Sequence, residues 1–254
     1  MTSQGLSGTP VIAVISGKGG VGKTSVSVAL ARALRNAGYR IGLLDADLSG
    51  PDIPRMLGLR RDAPAKSVTV ARWVRGPQAQ IEAMEVDGIK VASVGFLMGG
   101  DQMFSAGGDI DQLMLGRLLA ETDWGRVDAL VVDMPPGAGD IHRALRGRTG
   151  ALAAIVVVTP AEVSHLDSSR ALTMLEVDRV PVLGGVENMA FLACPCCGEQ
   201  SALYPAAPEE RTVWAKGVRR LVSLPFRPGT GPVDDDLSDV VKAAAEHIGP
   251  PDPS

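Results

Sequence analysis

Five consecutive apolar residues, Val11-Ile12-Ala13-Val14-Ile15, run into Gly17-Lys18-Gly19-Gly20-Val21-Gly22-Lys23-Thr24-Ser25, and a helical pattern begins at Thr24 and continues to Asn36. A buried strand, a glycine-rich turn and a helix in that order restrict the chain to folds built on a parallel sheet. The turn matches G-x-x-x-x-G-K-[ST]. In that pattern glycines let backbone N–H groups curl around phosphate oxygens, the lysine (Lys23) reaches the outer phosphates, and the hydroxyl (Thr24) binds Mg²⁺. The positive end of the helix dipole faces the same anion. Lys18 is an addition that an ordinary phosphate loop does not require. Taken alone it reads as a solvated lysine; taken with the rest of the loop it suggests a second subunit.

The remainder of the chain repeats this alternation. Short β-branched runs at Arg40–Leu44, Ile89–Val94, Ala129–Val132, Ala153–Val158, Val182–Val186 and Leu221–Leu224 are apolar at nearly every position, as strands covered on both faces are. Between them, 25–37, 111–121, 164–176 and 236–248 carry helical periodicity. The expected fold is α/β, a doubly wound and mostly parallel sheet with helices on both faces. At 254 residues the chain fits one domain. The expected organisation is a flexible N-terminus at 1–10, one P-loop domain over 11–249 with a C-x-x-C loop near 194–197, and a frayed tail at 250–254. Residues 60–80 read as an insertion and 99–108 as a glycine-rich loop.

A net charge of −4 without a basic block argues against nucleic acid and against an anionic membrane surface as partners. The apolar run 151–158 is far shorter than the ~20 residues that span a bilayer, and the polar, uncharged first ten residues resemble neither a signal nor a transit peptide. The expected location is the cytoplasm. The terminal helix places Leu237, Val240, Val241, Ala244, Ala245 and Ile248 on one stripe, opposite a face that is not basic, so it is expected to pack on the sheet.

In a doubly wound sheet ligands bind at the carboxyl ends of the strands. Two acid groups are expected there beside the phosphate loop. Asp45-Ala46-Asp47 supplies one carboxylate suited to ordering Mg²⁺ and one suited to orienting an attacking water. Asp133 closes the apolar strand Ala129–Val132 and leads into Met134-Pro135-Pro136-Gly137-Ala138-Gly139-Asp140, a loop that can switch on hydrolysis.

All three cysteines fall within Cys194-Pro195-Cys196-Cys197. Cys194 and Cys197 form a C-x-x-C pair able to grip one metal centre, whereas a four-iron cluster or tetrahedral zinc takes four thiolates. A twofold dimer would bring two pairs together. Spacing leaves an iron–sulfur centre, shared zinc and a redox pair all open, and Cys196 is either a spare ligand or a bystander. His142, His165 and His247 read as solvated, without a metal role.

Together, Gly17–Ser25 with Lys18, Asp45-Ala46-Asp47 with Gly50-Pro51 and Ile53–Gly58, Ser93–Leu97, Asp133 with Pro135-Pro136-Gly137, Glu187-Asn188-Met189 and the cysteine pair resemble the Mrp/ApbC iron–sulfur cluster carriers, deviant-Walker P-loop ATPases. The resemblance covers about 11–226. It implies an ATP-dependent homodimer that holds a [4Fe–4S] cluster between subunits and passes it to apo iron–sulfur proteins. It further implies that Lys18 reaches the partner's nucleotide, that Asp47 positions water, that Asn188 lies near the adenine, and that Cys194 and Cys197 ligate the cluster. Ala138 stands where the family usually carries threonine, and Met103–Gly108 replaces its usual segment. The competing resemblances are a ParA- or MinD-type positioning ATPase, a zinc-stabilised dimeric ATPase, and the nitrogenase iron protein, whose cluster cysteines lie on two separated loops.

Overall fold

The computed structural model describes residues 6, 8–59, 81–96, 108–137, 145, 149–227 and 234–252. An eight-stranded sheet forms the centre. Its strands are β1 (Val11–Ile15), β2 (Ile41–Asp45), β4 (Met84–Val86), β5 (Ile89–Ser93), β7 (Ala129–Asp133), β8 (Leu152–Val158), β9 (Val182–Glu187) and β12 (Arg220–Ser223), in the order β12-β9-β8-β1-β7-β2-β5-β4. Every neighbouring pair is parallel except β4 with β5. Four two- or three-residue strands lie outside it as two pairs: β3 (Ile81–Glu82) with β6 (Thr122–Asp123), and β10 (Phe191–Ala193) with β11 (Gln200–Ala202), the second pair flanking the cysteines.

The strands form where side chains are apolar on both faces. All five positions of β1 are buried, with Val11, Ala13 and Ile15 in one core and Ile12 and Val14 in the other. Helix α1 (Lys23–Asn36) and the amphipathic α5 (Ser238–Ile248) fill the second core, while α3 (Gly108–Glu121) and Trp124 fill the first. A short α2 (Ile53–Met56) follows β2, and α4 (Glu162–Val177) follows β8.

Because β1 lies between β8 and β7, and the chain crosses over β7 to build β2, the strand order reverses beside β1. The phosphate loop therefore opens at the sheet's switch point, with the ends of β2 and β7 next to it.

The terminal helix packs on the sheet as its stripe predicts: Leu237, Val240 and Ala244 are fully buried. Near the termini, Leu6 is 4% exposed and joins the core, and Asp252 pairs with Arg126 and lies 3.7 Å from Arg40. Most of the insertion and the glycine-rich loop, together with Ala138, Gly139, Asp140 and His142, lies outside the described residues. No helix among the described residues is long and apolar enough to cross a membrane.

Candidate functional site

The phosphate loop is built from positive φ angles and tight backbone contacts. Gly20 and Gly22 have φ of 79° and 83°, which only glycine adopts without strain, and Gly22 caps α1. At Gly17 a Cβ would lie 2.1 Å from the backbone nitrogen of Ser168, whose Oγ accepts the Gly17 N–H at 3.1 Å, so the loop begins against α4. Asn188, 4% exposed, donates its Nδ2 to the Val21 carbonyl at 2.8 Å. A Cβ on Gly22 would sit 2.2 Å from that same Nδ2. Gly22→Ala is accordingly expected to cost about 2 kcal/mol, from the left-handed backbone and loss of the Asn188 bond. A denaturant-midpoint comparison checks it, and an unchanged midpoint would contradict this account of the loop.

Asp133 is the electrostatic centre of the loop. Its Oδ1 receives Lys23 Nζ at 2.7 Å and Ser27 Oγ at 2.8 Å, and its Oδ2 receives Thr24 Oγ1 at 2.7 Å. Lys23 and Asp133 are 7% and 1% exposed, so each ion is compensated inside the protein. The Thr24 hydroxyl and the Asp133 carboxylate form the hard oxygen pair that suits Mg²⁺.

Asp45 stands in register with Asp133 across β2 and β7, fully buried. The Ile53 N–H and the Ser93 hydroxyl donate to its Oδ2, at 3.3 and 3.0 Å, and the Asp47 N–H to its Oδ1 at 3.3 Å. Both oxygens thus hold the chain's own loops, which gives Asp45 a bracing role. Burial, reinforced by the Asp133 charge, pushes its carboxyl well above the usual range. The folded protein therefore holds a proton that the unfolded chain releases near pH 4. The stabilisation from this group is complete below that pH and is lost as the pH rises toward the folded-state value. Asp45→Asn is expected to flatten this component of a melting-temperature series against pH; parallel wild-type and variant slopes would refute it.

Asp47 is half-buried at the loop surface. Its Oδ1 accepts the Gly50 N–H at 3.2 Å, and burial raises its pKa against the opposing Lys23 charge. Lys18 is half-exposed; its carbonyl accepts the Ser16 hydroxyl at 3.0 Å, and its side chain makes no hydrogen bond or ion pair among the described residues.

The cysteines occupy the tip of the β10–β11 hairpin. Ala193 pairs with Gln200, Cys194 N–H donates to the Glu199 carbonyl at 2.8 Å, and Gly198 N–H returns to the Cys194 carbonyl at 2.9 Å. Cys194 is half-buried, Cys196 and Cys197 are exposed, and all three are free thiols. The amides of Cys197 and then Cys196 point at the Cys194 sulfur and hold its thiol below the usual range. Such a turn presents thiolates outward to a soft metal or an iron–sulfur centre. No cluster of three metal-ligating side chains occurs among the described residues.

His165 departs from expectation. It is 1% exposed, its Nδ1 accepts the Val213 N–H at 3.3 Å, and its ring meets Trp214 edge-on at 5.7 Å between centroids. Two contributors escaped the sequence reading, Ser27 and Ser168, while Ser93 entered it only as part of the resembling segment Ser93–Leu97 and without a role. Ser27 was recoverable, since one helical turn after Lys23 puts it on the same face.

The model of the NUBPL iron-transfer P-loop NTPase family matches residues 8–249. An iron-sulfur cluster carrier protein of Haemophilus influenzae is 42% identical over 85% of this chain and 56% of its own length. The corresponding protein of Aquifex aeolicus is 36% identical over 91% of this chain and 61% of its own. The chain thus spans little more than half the length of these curated relatives. Among solved structures, a nucleotide-binding protein of Archaeoglobus fulgidus in complex with ADP superposes with a TM-score of 0.67 at 30% identity, covering 94% of this chain and 88% of that one. The septum site-determining protein MinD of Pyrococcus horikoshii, complexed with Mg-ADP, gives 0.59 at 19% identity over 94% and 95%, a likeness of fold.

Proposed function

This chain belongs to the NUBPL iron-transfer P-loop NTPase family, and on that premise we propose that it is an ATP-dependent carrier of iron–sulfur clusters, a homodimer that holds a [4Fe–4S] cluster between subunits and releases it to apoproteins. The observation that carries this reading is the pairing, in one rigid fold, of a complete phosphate loop with an exposed hairpin whose tip bears Cys194 and Cys197. Each chain offers two thiolates at the tip where the cluster takes four, and each offers a Lys18 side chain that makes no hydrogen bond or ion pair among the described residues; a second copy would meet both.

In this reading the backbone of Gly17–Ser25 cradles the phosphates, and Lys23 and Thr24 exchange Asp133 for phosphate oxygens and Mg²⁺. The metal, when bound, neutralises charge on the phosphates. Asp133 then holds the metal site and Asp45 braces the loop that carries Asp47. Asp47 orients the water that attacks the terminal phosphorus as its bond to the bridging oxygen breaks. Lys18 of each subunit approaches the partner's nucleotide, and Asn188 lies where the adenine is read. The described helices include none that would span a membrane, in keeping with a cytoplasmic protein.

Anaerobic reconstitution with ferrous iron and sulfide, followed by metal and sulfide analysis and sedimentation, tests the proposal. About four irons and four sulfides per dimer are expected. Zinc alone, bound at one ion per dimer without a visible chromophore, would replace the cargo; a monomer that binds neither would sink the proposal.

A further inference from the structure

We propose that Ser27 is a positioning residue of the nucleotide site: its hydroxyl keeps the Asp133 carboxylate in place while Lys23 leaves it for phosphate. The inference rests on the reading of Lys23 and Thr24 as ligands of phosphate and Mg²⁺.

Ser27 lies one turn beyond Lys23 on α1, facing the end of β7. Its Oγ is 2.8 Å from Asp133 Oδ1 and 3.1 Å from the Lys23 carbonyl. A hydroxyl has one proton to donate, so these acceptors compete, and the nearer, charged oxygen takes it. Serine and carboxylate are 0% and 1% exposed, so the bond forms away from solvent.

Three donors therefore share the Asp133 carboxylate, and they differ in what they are free to do. Lys23 Nζ ends a long flexible chain, and Thr24 Oγ1 sits in the first turn of the helix beside the loop. Both have a second employment when a nucleotide arrives. Ser27 has none, because its hydroxyl is enclosed within the helix–sheet contact. It is the donor that stays.

The energetic consequence follows from Oδ1. With Ser27 present, departure of Lys23 leaves that oxygen with one hydrogen bond. With alanine there, departure leaves a buried carboxylate oxygen that has lost both its donors, next to the in-register Asp45. The carboxylate would then hold the lysine back, and nucleotide would have to compete with a tighter internal ion pair. Ser27 thus lowers the cost of the partner exchange on which phosphate binding depends.

The test is equilibrium binding of ADP with Mg²⁺ to the full chain, wild type against Ser27→Ala and Ser27→Thr, with melting temperatures recorded without nucleotide. Ser27→Ala is expected to bind about tenfold more weakly while melting within about 4 °C of wild type. Ser27→Thr, which restores the hydroxyl, recovers the affinity. Should the extra methyl disturb the helix, Ser27→Cys with its weaker donor gives partial recovery. Affinity of Ser27→Ala within about twofold of wild type, or a well-folded Ser27→Thr that binds no better than alanine, overturns the assignment. A wild-type chain that binds no ADP would instead remove the nucleotide reading itself, and this assignment with it.

Discussion

Lys23→Ala is expected to abolish productive nucleotide binding and, less obviously, to destabilise the protein in the absence of any nucleotide. Two separate costs produce these effects. The ammonium is the charge that meets the outer phosphates, and losing its charge-assisted hydrogen bonds weakens binding of ADP with Mg²⁺ by about 100-fold or more. The same ammonium neutralises Asp133, which is 1% exposed. Truncating one partner of a buried pair leaves the other uncompensated, a loss of about 3 kcal/mol. The Thr24 and Ser27 hydroxyls remain on the carboxylate and reduce the damage, but neither carries charge. Calorimetric titration and a nucleotide-free denaturation curve read the two costs independently. A variant that lost nucleotide binding yet kept wild-type stability would show that the 2.7 Å pair is not the compensating interaction described above.

Cys194→Ala and Cys197→Ala are each expected to reduce cluster occupancy after reconstitution to background, while Cys196→Ala retains it. The asymmetry comes from the turn. Cys194 sits at the base of the hairpin tip with amides directed at its sulfur, and Cys197 is three residues on, the spacing at which two sulfurs bind one centre. Cys196 contributes its amide to that arrangement, and alanine preserves the amide. Because the thiols lie at an exposed tip held by backbone bonds between Cys194, Gly198 and Glu199, none of the three changes should unfold the domain. Iron and sulfide analysis with a visible absorption spectrum decides it. Retention of the chromophore in the Cys194→Ala/Cys197→Ala double variant would refute the cysteine assignment.

Much of the fold was legible because the central strands are buried on both faces. An unbroken apolar run ends where an acid, a serine or a loop begins, and the seven strands read from sequence agree with the observed ones to within about one residue. The hairpin of β4 and β5 escaped notice although its signal was present. Asp87 and Gly88, with φ of 50° and 73°, are an Asp-Gly pair in the turn that matches strand twist. The helix α4 misled for a different reason. Its inward face carries Ser164, His165, Ser168 and Ser169, all buried, because it packs partly against loop backbone whose N–H groups need acceptors. Apolar periodicity cannot reveal a face whose task is to accept hydrogen bonds, and so His165 looked solvated. At the site, the loop and the acids were readable as motifs, whereas the use made of Asp45 was not: two loops distant in sequence, at Ser93 and Ile53, decide it.

The bond between Asn188 and Val21 has a consequence for how far the two halves of this protein are separable. Only Met189 and Ala190 lie between Asn188 and the first residue of β10, and little of that joint is slack. The Asn188 N–H is fixed to Val158, Met189 is bent at φ 55°, and the Ala190 N–H is fixed to Leu224. A long flexible tether would let a cysteine hairpin be transplanted as a self-contained cassette. Here the root of the hairpin is also a wall of the phosphate loop, so a graft of the thiol-bearing segment onto another scaffold would carry its ligands but lose its aim.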